Sequence, residues 1–189
     1  MANRYNIEEL ILYIEALFLA AGMDADKSAI VAQLLVEADL MGHTTHGIAQ
    51  APAYLSGLEN GLMLGTGDPI IVSDRGATIT WDGQRISGVW LTAMAIDLSV
   101  DRAKKYGTAT MAIRRSGHIA CLAAFLTRAT DKGCMIELAS SDPSIVSVAP
   151  YGGTKPAFTP NPIAIGIPTN KNPILIDISA SITTNGLTG

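Results

Sequence analysis

The sequence predicts a mixed α+β fold, in which a helical segment (residues 1–68) precedes a domain with mixed sheets (residues 69–189). Two observations lead to this prediction. Apolar residues repeat at intervals of three and four in the first segment, whereas short runs of β-branched residues begin after Pro69. Helical and strand patterns then alternate at irregular intervals, which argues against a regular βαβ array.

Composition limits the classes of protein that the chain can belong to. Its 189 residues are 48% apolar, which is enough for a sizeable core. The apolar runs are interrupted by Glu15, Asp97 and Asp101 and no signal peptide precedes them, so we expect no membrane span and a cytoplasmic protein. A net charge of -4 without a basic block argues against nucleic acid as a partner. Cys121 and Cys134 are too few for a disulfide framework.

Two amphipathic helices open the chain. Asn6 followed by Glu9 has the spacing of a capping box, and apolar residues then recur with helical periodicity. A second apolar stripe, which Asp24 or Asp26 can cap, continues to Gly42. The segment 41–50 therefore joins this second helix to a third.

That connecting segment contains two of the three histidines, His43 and His46. Imidazole titrates near neutral pH, so sites that give or take a proton often use it. Pro52 can occupy the first turn of the third helix, which we expect to end at Asn60. The segment is a candidate site, although a loop histidine is also common on surfaces and at helix caps.

Strand patterns and one long helix follow. Residues 70–72 and 77–81 predict a hairpin, because a short polar turn separates two β-branched runs. Residues 88–106 predict a helix that ends at Gly107, and residues 108–113 predict a strand.

The third histidine, His118, comes directly after that strand and before a helical pattern over residues 119–132. A strand end that leads into a helix exposes backbone NH groups that favour negative charge, so this junction is a second candidate site. Residues 135–139 predict another strand.

The segment 140–189 contains seven of the nine prolines and only four charged residues. Strands are predicted at residues 163–167 and 174–178. Such a weakly charged surface is expected to be covered by another part of the protein or by a partner.

No metal site is expected from the spacing of possible ligands. His43 and His46 could contribute two ligands to zinc, but a structural zinc site needs four, and the cysteines lie far away in sequence. On the residues alone, His43 is interpreted as solvent-exposed and Asp177 as the end of a strand.

Several motifs, in this order, resemble the malate/L-lactate dehydrogenase type 2 family, which includes ureidoglycolate, sulfolactate and diketogulonate oxidoreductases and a piperideine-carboxylate reductase. The resemblance extends along the whole chain. The motifs are Thr45-His46-Gly47 with Tyr54 after it, Gly117-His118, Ser141-Asp142-Pro143, Ala149-Pro150-Tyr151-Gly152-Gly153, Asn161-Pro162 and Asp177-Ile178-Ser179-Ala180-Ser181.

The resemblance implies a homodimeric oxidoreductase that uses NAD or NADP and acts on a small 2-hydroxy or 2-oxo acid of the malate, lactate, sulfolactate or ureidoglycolate type. It also implies a nicotinamide-binding site that is not a Rossmann fold. The sequence agrees on this point, because no GxGxxG motif follows a strand.

The resemblance also suggests roles for individual residues. His46 corresponds to the proton donor, Thr45 to its neighbouring hydroxyl residue, and His118 to a second histidine at the cofactor and substrate that some members use as proton acceptor. Tyr54 corresponds to a residue on the substrate side. The expected cofactor contacts are His118, Ser141, Pro143, Asp177, Ile178 and Ser179.

The chain departs from the family pattern at several points. Gln50 stands where the family commonly has an arginine that can bind a carboxylate, so Arg115 is the nearest candidate for that role. Pro160 replaces a threonine, and family chains are considerably longer, so this sequence resembles an N-terminal portion, truncated relative to the family. An alternative is therefore a non-catalytic paralogue that keeps the fold and the dimer surface.

Overall fold

The computed structural model describes residues 4–181, which contain five α-helices and three short 3-10 helices. The α-helices are α1 (Ile7–Ala20), α2 (Ala25–Leu40), α3 (Ala51–Glu59), α4 (Gly88–Tyr106) and α5 (Thr127–Thr130). The 3-10 helices are Thr44–His46, Ile48–Gln50 and Ala123–Phe125.

Six strands form two three-stranded sheets within the described part of the chain. The first sheet has the order β1-β2-β3 and the second has the order β4-β5-β6. Their bounds are β1 (Ile70–Asp74), β2 (Thr78–Asp82), β3 (Thr110–Arg114), β4 (Ile136–Ala139), β5 (Ile163–Ile167) and β6 (Ile174–Ile178). The mixed α+β prediction is therefore confirmed.

The N-terminal helices begin where the sequence predicts. The Asn6 side chain accepts a hydrogen bond from the Glu9 NH (3.1 Å), which satisfies one of the free donors at the start of α1. Asp24 occupies the N-cap position of α2, but its carboxylate accepts a bond from Lys27 Nζ (2.9 Å). Lys27 is buried, with its ammonium group 4.2 Å from the centre of the Trp90 ring.

The main hydrophobic core joins the N-terminal helices to the rest of the chain. Phe18 and Leu35 are fully buried, and they belong to the same cluster as Val89 and Leu91 of α4 and as Phe125. Residues on both sides of position 68 thus share one core. Helix α4 lies at its centre, because α2, α5 and strand β3 all contact it.

Strands β2 and β3 run parallel, with α4 as their connection, and β1 pairs with β2 in the antiparallel direction. Asp82 pairs with Arg114 at the carboxyl ends of the two strands. The loop after β3 then passes very close to the start of α4, where a Cβ on Gly88 would overlap the Gly117 carbonyl. The absence of a side chain at Gly88 lets the His118 loop pack against the first turn of α4.

The predicted helix over residues 119–132 is wrong in its first half. Only the 3-10 helix at 123–125 and α5 form, and Ala120 has a positive φ of 55°. The backbone NH groups of Ala120 and Ala123 donate to the His118 ring and to Asp177, respectively. The early residues are therefore held by site side chains in a conformation that a continuous helix does not allow.

The second sheet is antiparallel and presents a row of isoleucines to solvent. Ile174, Ile176 and Ile178 on β6 are 51%, 39% and 61% exposed. This row lies in the weakly charged segment for which the sequence predicts a covered surface. Within residues 4–181, no helix combines the length and the apolarity that crossing a membrane requires.

Candidate active site

Side chains from three parts of the chain meet beside the carboxyl end of β3. His46 lies in the turn between α2 and α3, Tyr54 lies on α3, and His118 lies in the loop after β3. The ring centres of His46 and His118 are 5.8 Å apart, and those of Tyr54 and His118 are 5.9 Å apart. The two sequence regions proposed as separate candidate sites thus form one cluster.

His46 is oriented by its neighbour Thr45. The Thr45 hydroxyl oxygen lies 2.9 Å from Nδ1 of His46. Gln50 Nε2 donates to the carbonyl oxygen of Thr45 (2.7 Å), which ties the two 3-10 helices together. Because Nδ1 faces Thr45, Nε2 is the ring nitrogen suited to meet a substrate.

Asp39, at the end of α2, supports the turn that carries His46. Its carboxylate accepts a hydrogen bond from the Ile48 NH (2.7 Å). A Cβ on Gly47 would overlap this carboxylate, so the close approach requires glycine there. Sequence reasoning did not single out Asp39; its position nine residues before Ile48 gives no recognisable local motif.

Tyr54 fixes the second histidine. The Tyr54 hydroxyl lies 2.8 Å from Nδ1 of His118, and the Ala120 NH donates to the same nitrogen (3.3 Å). Tyr54 is only 4% exposed, and burial raises its pKa far above the ordinary value, so its hydroxyl remains protonated. With two donors directed at it, Nδ1 acts as an acceptor, and the hydrogen of the neutral ring resides on Nε2.

Both imidazoles are neutral at neutral pH. Burial is the main factor that lowers the pKa of His46. The negative charge of Asp177 opposes this lowering of the pKa, whereas the nearby His43 lowers the pKa further. For His118, burial and the nearby His46 lower the pKa to about 4, and Asp142 opposes them. His118 nevertheless keeps an edge open to solvent, from which a small molecule can reach it.

Asp177, at the end of β6, faces this cluster. Its Oδ2 accepts a hydrogen bond from the Ala123 NH (2.9 Å) and lies 3.8 Å from the Cys121 sulfur. Burial raises the pKa of the Cys121 thiol to about 11, so the thiol is neutral at neutral pH. The exposed ring of His43 also approaches this pair, and potential ligand atoms of His43, Cys121 and Asp177 all lie within 4.8 Å of one another.

Ser141 and Pro143 line a second part of the site. They border an open cavity of about 220 Å³, and the Ser141 hydroxyl donates to Asn161 Oδ1 (2.8 Å). The negative charge of Asp142, between them, partly opposes the lowering of the His118 pKa, as expected if this segment lies near that ring. The other residues that line the cavity are Ile145, Val146, Ala157, Phe158, Thr159 and Asn161.

Ile178 and Ser179 follow Asp177 at the end of the second sheet. Ile178 pairs with Ile163 across β5 and β6, and the Ser179 hydroxyl donates to the Ser181 carbonyl (3.1 Å). The Ala180 NH donates to the Pro160 carbonyl (2.7 Å). Proline at position 160 therefore still supplies the acceptor that holds this segment.

Arg115 is engaged in an ion pair. Its Nε donates to both carboxylate oxygens of Asp82 (2.8 and 3.0 Å), and Arg114 also contacts Asp82. The hydrogen bond from Arg115 lowers the pKa of Asp82 to about 2. The guanidinium of Arg115 thus forms an ion pair with Asp82, and the side-chain amide of Gln50 donates a hydrogen bond to the Thr45 carbonyl.

Comparison with known proteins gives concordant results for sequence and structure. The family model for malate/L-lactate dehydrogenase matches residues 5–188. The chain is 30% identical to L-sulfolactate dehydrogenase from Methanothermobacter thermautotrophicus over 97% of this chain and 53% of that protein. It is 29% identical to hydroxycarboxylate dehydrogenase B from Escherichia coli K12 over 98% of this chain and 52% of that protein.

Solved structures agree with these sequence matches. Malate dehydrogenase from Entamoeba histolytica superposes with a TM-score of 0.92 at 27% identity, covering 99% of this chain and 52% of that one. Delta1-piperideine-2-carboxylate reductase from Pseudomonas syringae superposes with a TM-score of 0.84 at 28% identity, covering 98% of this chain and 55% of that one. The chain spans about half the length of these relatives. It belongs to the malate/L-lactate dehydrogenase family.

Proposed function

We propose that this chain carries the proton-transfer site of an oxidoreductase that uses NAD or NADP to interconvert a small 2-hydroxy acid and the corresponding 2-oxo acid. The observation that carries the proposal is the pairing of His46 and His118. Their ring centres are 5.8 Å apart, and each ring has its Nδ1 held by another side chain. Both Nε2 atoms are therefore suited to face one small substrate.

In this proposal His46 moves the proton of the substrate hydroxyl. When its neutral ring donates Nδ1–H to Thr45, the lone pair on Nε2 can accept that proton. In the reducing direction the same nitrogen returns the proton to the substrate oxygen, on which negative charge develops. Such general acid or base catalysis typically contributes a factor of ~10² to 10⁴ in rate.

His118 has the complementary role of a neutral donor. Tyr54 and Ala120 direct their hydrogens at its Nδ1, so Nε2–H points outward and can bond the substrate oxygen or carboxylate. Because the pKa of His118 is low, its ring stays neutral and does not compete with His46 for the proton of the substrate hydroxyl. The two histidines therefore have different hydrogen-bonding states, and Tyr54 acts as a positioning residue for the second.

The residues around the cavity fit a nicotinamide nucleotide. One side offers the apolar surfaces of Ile145, Val146 and Phe158, while Ser141 and Thr159 offer hydroxyl groups, as a ring with an attached ribose requires. When bound, the nicotinamide supplies or accepts the hydride. We propose that Ser141, Pro143, His118 and the segment 177–179 contact this cofactor.

Turnover with a panel of acids tests the proposal. The purified chain is assayed by nicotinamide absorbance with NAD and NADP against malate, lactate, sulfolactate and ureidoglycolate, and in the reverse direction with the corresponding 2-oxo acids. We expect saturable turnover of at least one substrate. Nucleotide binding, followed by fluorescence, is measured on the same sample. Absence of both turnover and nucleotide binding contradicts the proposal.

A non-catalytic role is the second candidate. Both side chains considered for binding the substrate carboxylate already have partners within the protein, which favours this role. Gln50 donates a hydrogen bond to the Thr45 carbonyl, and Arg115 forms an ion pair with Asp82. A cation held in an ion pair has less to offer a substrate. Nucleotide binding without turnover of any acid in the panel supports this second candidate.

We also propose that the protein works as a homodimer. The exposed row Ile174, Ile176 and Ile178 supports association, because contiguous apolar surface is uncommon on monomers. Sedimentation at micromolar concentration is expected to give twice the mass of the chain. A single species with the mass of one chain contradicts this part of the proposal.

A further inference from the structure

Three potential metal ligands of different chemistry meet beside the two histidines. His43 precedes the 3-10 helix that carries His46, Cys121 follows His118 in the β3 loop, and Asp177 ends β6. Their potential ligand atoms all lie within 4.8 Å of one another. The proton transfer proposed above requires neither His43 nor Cys121.

We propose that His43, Cys121 and Asp177 bind one divalent transition-metal ion of the zinc class. A zinc ion takes nitrogen, sulfur and oxygen ligands at about 2.0 to 2.3 Å in a tetrahedral arrangement, so its ligand atoms lie less than about 4 Å apart. The distance of 3.8 Å between the Cys121 sulfur and Oδ2 of Asp177 already satisfies this limit, and no pair of the three ligand atoms is more than 4.8 Å apart. The exposed His43 side chain can close the difference by a small rotation.

The backbone around the three residues already holds the ligands in place. The His43 NH donates to the Ala38 carbonyl (2.9 Å), and its own carbonyl accepts a bond from the His46 NH (2.9 Å). On the other side, the Ala123 NH donates to Oδ2 of Asp177. The backbone bonds fix the position of the His43 main chain, and the bond to Oδ2 orients the Asp177 carboxylate, as second-sphere bonds do in metal sites.

The charge of the donor set also favours zinc. When the ion binds, the thiol of Cys121 loses its proton to solvent, so one thiolate and one carboxylate balance the two positive charges. Cysteine and histidine ligands prefer zinc and neighbouring transition metals, whereas magnesium and calcium prefer oxygen ligands. With three protein ligands, the fourth position remains open for water, as in zinc sites that are not purely structural.

Calorimetry with zinc chloride and absorption spectroscopy with cobalt test this site without any measurement of turnover. The untagged chain is treated with a chelator and dialysed before each titration. We expect one zinc per chain, a thiolate-to-cobalt charge-transfer band in the near ultraviolet, and no binding of magnesium at the same concentrations. Failure of zinc to bind in a one-to-one ratio overturns the proposal.

Two variants test the proposed ligands His43 and Cys121, and a third variant is the control. His43→Ala changes an exposed residue, and Cys121→Ser is nearly isosteric, so both are expected to fold and to weaken zinc binding at least about tenfold, since even second-sphere changes cost about 10- to 100-fold. The cobalt charge-transfer band should disappear in Cys121→Ser. Cys134→Ser, at the other free cysteine, is the matched control and should bind like the wild type. Zinc affinity unchanged by both ligand substitutions, or equally reduced in the control, also overturns the proposal.

Discussion

The hydroxyl of Tyr54 lies 2.8 Å from Nδ1 of His118, a residue 64 positions later in the chain. This contact links helix α3 to the loop after β3, and it is made in the buried interior while the far edge of the imidazole remains open to solvent. In the proposed function, Tyr54 therefore acts through His118. The orientation and hydrogen-bonding state of that ring depend on this phenol together with the Ala120 NH.

Removing the phenol hydroxyl should release the His118 ring. In Tyr54→Phe we expect the free energy of unfolding to fall by about 1 kcal/mol and kcat/KM to fall roughly tenfold, because one hydrogen bond of about that strength is lost. The ¹⁵N chemical shifts of His118 should change towards a mixture of tautomers, which a purely structural role does not require. Tyr13→Phe, at an exposed tyrosine, is the control. Unchanged ¹⁵N shifts at His118 would argue against the positioning role.

The carboxylate of Asp177 should determine how far the pKa of His46 is lowered. Burial keeps this pKa below 6.5, and the negative charge of Asp177 opposes that shift. In Asp177→Asn the opposing charge is lost, so the His46 pKa should fall further and the acid limb of the pH profile for oxidation should move to lower pH. NMR titration of the imidazole protons measures the pKa directly. A His46 pKa that rises in this variant contradicts the electrostatic account.

Adding a methyl group at Gly47 should disturb the turn that carries His46. The new Cβ overlaps the Asp39 carboxylate, so that carboxylate or the turn must move. In Gly47→Ala we expect the free energy of unfolding to fall by about 1 to 3 kcal/mol, as is typical for overpacking. Gly57→Ala, in α3, provides the contrast, because its Cβ meets only an ordinary contact at 3.4 Å and should leave stability equal or higher. Equal urea midpoints for Gly47→Ala and the wild type would disprove the steric argument.

An arginine at position 50 should improve the binding of simple 2-oxo acids. The amide of Gln50 now bonds the Thr45 carbonyl, and a guanidinium there could offer a charged bond to a carboxylate as well. A hydrogen bond to a charged group is worth about 1.5 to 3 kcal/mol, so KM for pyruvate-like acids should fall roughly tenfold or more in Gln50→Arg. Gln33→Arg, on the exposed face of α2, is the control. If KM falls equally in both variants, the added positive charge alone lowers KM. In that case position 50 does not determine substrate specificity.

Most of the secondary structure could be predicted because it depends on local patterns. Helix α4 and strands β5 and β6 have the predicted bounds, and Asn6 caps α1 as its spacing to Glu9 indicates. Apolar periodicity and glycine at helix ends are properties of short windows of sequence. The family followed from motifs that are also short and that occur in the right order.

What could not be predicted depends on contacts between distant residues. The helix predicted over 119–132 does not form in its first half, because the backbone NH groups of Ala120 and Ala123 donate to His118 and Asp177 instead of to helical carbonyls. The periodicity of apolar residues gives no sign of these hydrogen bonds. Asp39 was missed for a related reason, since its role depends on the fold of the following turn. His43, Cys121 and Asp177 lie close together in the fold but come from three distant segments of the chain. Their spacing in the sequence therefore does not indicate a common site.

Replacement of His46 tests the central claim most directly. In His46→Ala, kcat for the best acid of the panel should fall at least about a hundredfold, while nucleotide affinity stays within about twofold, because general acid or base catalysis is typically worth ~10² or more. Thr44→Ala, at an exposed position of the same 3-10 helix, is the matched control and should keep wild-type turnover. Near wild-type turnover in His46→Ala would contradict the assignment of His46 as the residue that moves the substrate proton.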